Sequence, residues 1–267
     1  MRVSIFGAGY VGAVTGACLA DSGHDVVVVD PDLTKVKRIR SGRATVAEPG
    51  LEEIISRAVA KGALMATTDC GEAVMNSDLS MVCVDCQDSR DDPPVQDRIR
   101  AVCSRIGVAL GKKQSYHSVI LRSTGAPGTA HSVAIPTLED CSKMTAGPDF
   151  GFGSNPEFLR AGTAVHDYFN PQKIVIGALD EKTALAVSSL YKDIDAPEVI
   201  TQIKIAEVVK YADNAWHILK AGFANEVGTI MKVHGVDSRK VMDILYLDVG
   251  PEASPALQKR LTAALKI

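Results

Sequence analysis

Residues 3–12 read Val3-Ser4-Ile5-Phe6-Gly7-Ala8-Gly9-Tyr10-Val11-Gly12, an apolar run meeting glycines at G-x-G-x-x-G spacing. Gly7 permits a tight turn, Gly9 lets the backbone approach a pyrophosphate, and Gly12 allows close helix–strand packing. The helix that follows, Val11 to about Ser22, offers free N–H groups and the positive end of its dipole to phosphates. A second apolar strand, Val26–Val29, ends on Asp30, 18 positions beyond Gly12. A carboxylate there accepts from both ribose hydroxyls of NAD and repels the 2′-phosphate of NADP. Gly7, Gly9, Gly12 and Asp30 therefore form a candidate NAD site. The alternative is a glycine turn that holds no ligand.

The same alternation continues outward. Val3–Phe6, Asp25–Val29, Ser80–Val84, Ser118–Leu121 and Ile174–Ile176 are short, continuous and rich in β-branched residues. Such runs suit parallel strands covered on both faces. Amphipathic segments lie between them, such as Asp97–Ala109 and Lys182–Tyr191. The pattern predicts an α/β fold with a doubly wound, Rossmann-type parallel sheet. From Ile203 to about His234 strand signals cease, and apolar residues recur at helical spacing, from Ala206 and Val209 through Trp216 and Phe223 to Ile230. One long helix ending near Gly235 is expected, then a second over Ser238–Leu247 with Asp237 as N-cap. The expected organisation is a nucleotide-binding domain over 1–200 and a helical segment over 201–267.

Composition sets bounds. The chain has 267 residues and a formal net charge of −3, so it carries no basic footprint for nucleic acid. No apolar run reaches the ~18 residues of a membrane span, and the N-terminus has no signal-peptide pattern. A cytoplasmic protein is expected. Six cysteines are scattered at 18, 70, 83, 86, 103 and 141. Cys83 and Cys86 make a C-x-x-C without a second pair or nearby histidine, which argues against metal.

Several further segments resemble one family, the UDP-glucose/GDP-mannose dehydrogenases. They are Gly7–Gly12, Glu48-Pro49-Gly50-Leu51, Arg122-Ser123-Thr124 with Pro127-Gly128-Thr129, Asn155-Pro156-Glu157-Phe158-Leu159-Arg160, and Lys210 with Asn214. Finer detail is similar to the GDP-mannose branch: Ile135-Pro136, Leu138–Ser142, and the run from Lys210-Tyr211 through Trp216-His217 to Asn225-Glu226. The resemblance implies oxidation of a nucleotide sugar at C6 with NAD, GDP-mannose becoming GDP-mannuronate, a precursor of alginate. It also implies a homo-oligomer formed through the central helix.

Hydride removal from an alcohol needs a base for the hydroxyl proton and positive charge near the developing oxyanion. Lys210 and Asn214, four apart, share one helix face. By resemblance, Lys210 steadies the oxyanion and Asn214 orients the oxygen or a water. Without the resemblance, Lys210 reads as an exposed helix lysine. Thr124, at the carboxyl end of a strand, would hold a water beside the nicotinamide; alternatively it simply ends the strand. Glu157 would work with a water or organise the pocket; alternatively it is an acid at a helix N-terminus. His217 and Asn225 match substrate-contacting positions, and Tyr10, Val11, Lys35 and Cys86 match cofactor-contacting ones.

The sequence departs from the family pattern in three places. Ala161 stands where a second glutamate is usual, and Asp85-Cys86-Gln87 replaces Gly-Thr-Pro. The cysteine that serves the second oxidation as a covalent nucleophile, in a Gly-Gly-Ser-Cys-like segment, has no counterpart here, nor does the C-terminal nucleotide-sugar-binding domain. The expectation is a chain that keeps NAD binding without the complete four-electron oxidation. Two other readings stay open. β-Hydroxyacid dehydrogenases also pair this cofactor fold with a Lys-x-x-x-Asn helix and need no cysteine. A non-catalytic NAD-binding remnant is the other.

Overall fold

The computed structural model describes residues 1–84 and 93–248. The chain divides into two compact units, Met1–Tyr211 and Ala212–Ile267. In the first, the described strands form one sheet in the order β3-β2-β1-β4-β5-β6-β7-β8. These are β1 (Arg2–Phe6), β2 (Asp25–Val29), β3 (Leu64–Thr67), β4 (Leu79–Val82), β5 (Ser118–Leu121), β6 (Gly151–Ser154), β7 (Ile174–Ala178) and β8 (Glu198–Thr201).

The crossovers are α1 (Tyr10–Asp21), α2 (Leu33–Arg40), α3 (Leu51–Ala60), α4 (Cys70–Met75) and α5 (Val95–Leu110). Then come α6 (Ile135–Ser142), α7 (Ala164–Phe169) and α8 (Glu181–Ser188). Side chains alternate across the sheet, as the strand period requires. Val3, Ile5, Met81, Ile120 and Ile176 enter one buried layer; Phe6, Val82, Val119, Leu121 and Phe152 enter the other. This two-sided burial is why the strands read as continuous apolar runs.

The α/β, doubly wound expectation holds, with corrections in detail. The sheet is not wholly parallel: β6 and β7 pair antiparallel, at Gly153 with Ala178 and Ser154 with Gly177. Three strands, β3, β6 and β8, were not expected. β3 and β6 lack the run of branched residues that marks a strand, and β6 holds two glycines; β8 carries Val199-Ile200-Thr201 but is a short, largely exposed edge.

Near the amino ends of the strands a polar seam is buried. Ser4 Oγ lies 2.9 Å from Ser77 Oγ and 2.8 Å from Ser80 Oγ, and Ser80 Oγ lies 2.7 Å from His117 Nε2. Lys113 Nζ lies 3.1 Å from His117 Nδ1. Burial, with Lys113 nearby, pushes the His117 imidazole down to about 3.

Helix α9 (Ile203–Val233) begins in the first unit and continues into the second, which also holds α10 (Ser238–Asp248). Gly235 separates the two helices at φ 64°. The Asp237 carboxylate accepts from Arg239 N at 3.0 Å, the expected cap. Among the described residues, no helix is long and apolar enough to cross a membrane, and no cluster has metal-ligand character.

Candidate active site

The first turn joins β1 to α1. Gly7 N donates to Val29 O at 2.8 Å, and Gly7 adopts φ +113°. A Cβ on Gly7 would lie 2.4 Å from Cys83 O, and one on Gly12 would lie 1.9 Å from Gly7 O. Both positions need glycine for space, and Gly7 also for its backbone angle. Gly9 is the N-cap of α1 and lends no side-chain bond, and the first turn holds no acid. The amides at this helix end are thus unopposed by any carboxylate of their own turn, as an anionic ligand requires.

Asp30 is buried at the end of β2, where Oδ2 accepts from Ala8 N at 2.7 Å and Oδ1 from Asp32 N at 2.9 Å. An ionised carboxylate has about four acceptor sites, so two backbone bonds leave room for ribose hydroxyls. Lys35 Nζ is 3.8 Å from Asp30 Oδ2. Val11 is half-buried beside the turn. The remaining cofactor candidate, Cys86, and its neighbours Asp85 and Gln87 lie outside the described residues. The residues present fit a dinucleotide with free ribose hydroxyls.

A second feature gathers at the carboxyl ends of the parallel strands, where open α/β sheets bind ligands. Glu157 follows β6, and its Oε1 lies 3.1 Å from Lys210 Nζ of α9. Both side chains are buried, only 10% and 9% exposed. Lys210 is therefore not the exposed helix lysine that its spacing allowed. Glu157 sits in irregular chain, not at a helix N-terminus, and its Oε2 accepts from Leu159 N at 2.6 Å. The Lys210 ammonium also lies 5.4 Å from the Phe158 ring centroid, and Lys173 Nζ lies 4.4 Å from the same centroid. A cavity of about 30 Å³ beside Glu157, lined also by Arg122 and Tyr168, has room for one water molecule. Thr124 is half-buried just beyond β5, on the same side of the sheet.

The supports of this site come from residues that sequence spacing did not single out. Arg122 is buried and donates to Asn155 Oδ1 at 2.6 Å, to Tyr191 OH at 2.9 Å and to Thr15 Oγ1 at 3.1 Å. Asn155 Nδ2 in turn donates to Val175 O at 2.9 Å. This fixes the start of the loop that carries Glu157. Glu207, one turn before Lys210, accepts from Gly128 N at 2.9 Å and Ala130 N at 2.8 Å. The Pro127-Gly128-Thr129 segment and the lysine-bearing helix are thus bound to each other. The Arg160 guanidinium donates to Asp167, which holds that carboxyl down at about 2.

Asn214, His217 and Asn225 belong to the second unit. All three are exposed on α9, and their spacing puts them on one side of the helix. His217 Nε2 lies 3.5 Å from Asp213 Oδ2, and Asn225 O accepts from Thr229 Oγ1 at 3.0 Å. The structure therefore joins Glu157 to Lys210, and the glycines to Asp30 and Lys35. It leaves the three α9 residues in a unit of their own.

Residues 1–195 match the NAD binding domain of the UDP-glucose/GDP-mannose dehydrogenase family, and residues 204–255 match its central domain. The chain belongs to that family. It is 48% identical over 248 residues to a GDP-mannose 6-dehydrogenase of Pseudomonas syringae pv. tomato, covering 93% of this chain and 57% of the relative. A solved ternary complex of GDP-mannose dehydrogenase from Pseudomonas aeruginosa has a TM-score of 0.91 at 44% identity. That match covers 95% of this chain and 58% of the other. A UDP-glucose dehydrogenase structure from Pyrobaculum islandicum gives a TM-score of 0.86 at 37% identity, covering 92% and 56%. The chain spans somewhat more than half the length of the relatives it matches. Membership sets aside the β-hydroxyacid dehydrogenase alternative.

Proposed function

We propose that this chain binds NAD⁺ and carries the alcohol-oxidising half of a nucleotide-sugar 6-dehydrogenase site, with GDP-mannose as substrate. The observation that carries the reading is the buried Glu157–Lys210 pair at 3.1 Å, at the same sheet edge as the glycine turn and Asp30. Two charges are costly to bury unless they are used or well paired, so such a pair, formed between the cofactor domain and the helix that follows it, marks a working site. Branch-level similarity favours GDP-mannose over UDP-glucose.

Asp30 and the α1 amides hold the cofactor, and Asp30 excludes a 2′-phosphate by charge. Bound NAD⁺ supplies the hydride acceptor. Lys210 places a cation where the sugar C6 oxygen gains negative charge, in a setting that water screens little. Glu157 holds that ammonium in place and takes up a proton through a water in the adjacent cavity. Thr124 orients a water or the alcohol at the end of β5. Asn214, His217 and Asn225 contact the sugar nucleotide from α9.

The reading gives the described cysteines no part in a second oxidation. Burial pushes the thiols of Cys18 and Cys103 up to about 12 and that of Cys70 up to about 11, away from the nucleophilic thiolate. Free thiols among the described residues fit a reducing, cytoplasmic compartment. The exposed apolar side chains Ile218, Leu219, Phe223 and Ile230 of α9 suit pairing with a second copy. Within the proposed organisation, residues 1–200 form the nucleotide-binding domain and 201–267 the helical segment.

Calorimetric titration with NAD⁺ and NADP⁺, and NADH formation with GDP-mannose and UDP-glucose, test the reading. It predicts binding of NAD⁺ over NADP⁺, and GDP-mannose-dependent NADH that is lost in Lys210→Ala. Equal affinity for both cofactors, or turnover independent of Lys210, would refute it.

A further inference from the structure

One carboxylate outside the proposed catalytic set joins three parts of the site. Glu48 Oε2 accepts from Tyr10 OH at 2.5 Å and from Gly162 N at 2.8 Å, and Oε1 accepts from Ala164 N at 2.7 Å. Tyr10 is the first residue of α1, directly after Gly9. Gly162 lies near the end of the loop that begins at Asn155 and carries Glu157, and Ala164 opens α7 directly after it. The Tyr10 hydroxyl also reaches Arg160 O at 3.5 Å. The segment holding Glu48 is itself tied to the cofactor turn, since Thr45 Oγ1 donates to Ala8 O at 2.8 Å. Thus one side chain spans positions up to 116 residues apart.

The bonds are of the strong kind, because an ionised carboxylate accepts all three. Burial of Glu48 opposes the charged form, yet the Tyr10 hydroxyl and the two amides hold its carboxyl below the usual glutamate range. Burial and Glu48 together raise the Tyr10 phenol, so it stays a donor at neutral pH. A second path from Tyr10 to this end of the loop, through Arg160 O to Thr163 N, begins with a longer bond of 3.5 Å to a neutral carbonyl, so the Glu48 path is the stronger of the two.

We propose that Glu48 is a positioning residue that couples occupancy of the cofactor turn to the order of the loop bearing Glu157. The proposal deepens the NAD-dependent reading and rests on it. A dinucleotide seated on Gly9 and against Tyr10 fixes the start of α1. Through Tyr10 OH and Glu48, it then fixes the amides of Gly162 and Ala164. The staple sets the loop before substrate arrives, and Glu48 itself touches no reacting atom.

The test is hydrogen–deuterium exchange on the 267-residue chain, with and without NAD⁺, read on peptides covering 156–166. The variants are Tyr10→Phe, Glu48→Gln and Glu48→Ala. In wild type, NAD⁺ slows exchange in this segment. Tyr10→Phe, compared with wild type at matched NAD⁺ saturation set from the calorimetric affinity of each protein, loses the NAD⁺-dependent slowing. Glu48→Ala raises ligand-free exchange here by roughly tenfold or more, the scale of one charge-assisted bond. Glu48→Gln falls between, because its oxygen still accepts while its amide nitrogen does not. Melting curves identify any variant that fails to fold, and Tyr10→Phe, which removes one oxygen, keeps the test decisive.

Equal slowing in wild type and Tyr10→Phe overturns the proposal. So does NAD⁺ binding to wild type without any change over 156–166. Absence of NAD⁺ heat in wild-type calorimetry overturns the parent reading and the coupling with it, and is distinguished from the other two results by that missing heat.

Discussion

Removing one member of the Glu157–Lys210 pair should cost more than removing both. Lys210→Met deletes the ammonium and leaves a carboxylate only 10% exposed, with Leu159 N still donating to it. Breaking a buried pair from one side costs about 3–5 kcal/mol, because the surviving charge is neither paired nor hydrated. A unit of this size shifts its melting temperature by roughly 2–4 °C per kcal/mol, so the single variant should melt about 6–20 °C lower. Glu157→Gln strands the lysine, but the Phe158 face at 5.4 Å offsets part of the loss. It should cost less than Lys210→Met. The double variant strands neither charge and should regain on the order of 2 kcal/mol over Lys210→Met. Urea unfolding of the four proteins at pH 7, followed by circular dichroism, yields the coupling energy of the cycle. Additive effects, with coupling below about 0.5 kcal/mol, would show that the two groups do not sense each other in solution. The assignment of Glu157 as the holder of Lys210 would then fail.

Three further outcomes are expected. Gly12→Ala puts a methyl 1.9 Å from Gly7 O, backbone that cannot give way cheaply, so calorimetry should show NAD⁺ affinity falling by tenfold or more. Asp30→Ser should raise the ratio of NADP⁺ to NAD⁺ affinity at least tenfold. It should also cost about 1–3 kcal/mol in urea unfolding, because Ala8 N and Asp32 N lose their acceptor. The third concerns pH. The folded state holds His117 at about 3, below its free value, so its stabilising contribution is complete above about 6.5 and drains away as pH falls toward 3. The slope approaches 1.4 kcal/mol per pH unit in that window, and unfolding curves for His117→Gln should be flatter between pH 6.5 and 4.5. Identical slopes in the two proteins would refute the assignment.

The β1–turn–α1–β2 unit was legible because each of its signals is local. Apolar runs, glycine spacing and a terminal acid all fall within about thirty residues, and the turn requires glycine at Gly7 and Gly12 for reasons of backbone and space. β6 was illegible for the opposite reason. It is a strand because its glycines let neighbours close in: a Cβ on Gly151 would lie 2.1 Å from Thr183 Oγ1. Nothing within Gly151–Ser154 announces that neighbour. Residue spacing gave Lys210 and Asn214 a common helix face, but it could not bring Glu157 to Lys210, which depends on where α9 crosses the sheet. Glu48 and Glu207 were missed because each bonds backbone amides roughly 80 to 115 residues away. The signal for Glu48 was present in Glu48-Pro49-Gly50-Leu51, which was noted for its resemblance and not for its carboxylate.

The reversal between β6 and β7 has one more effect. Because β7 and β8 run opposite to the other strands, β8 ends level with Ser154, the last residue of β6, and α9 reaches Lys210 about two turns after its start at Ile203. A helix is a ratchet with a fixed tooth: each residue added or lost advances it about 1.5 Å and turns it about 100°. One deletion between Thr201 and Lys210 would swing the ammonium a quarter-turn or more away from Glu157, while leaving every residue of both sites in the sequence. The phase of α9 is thus as much a part of the chemistry as the lysine it carries.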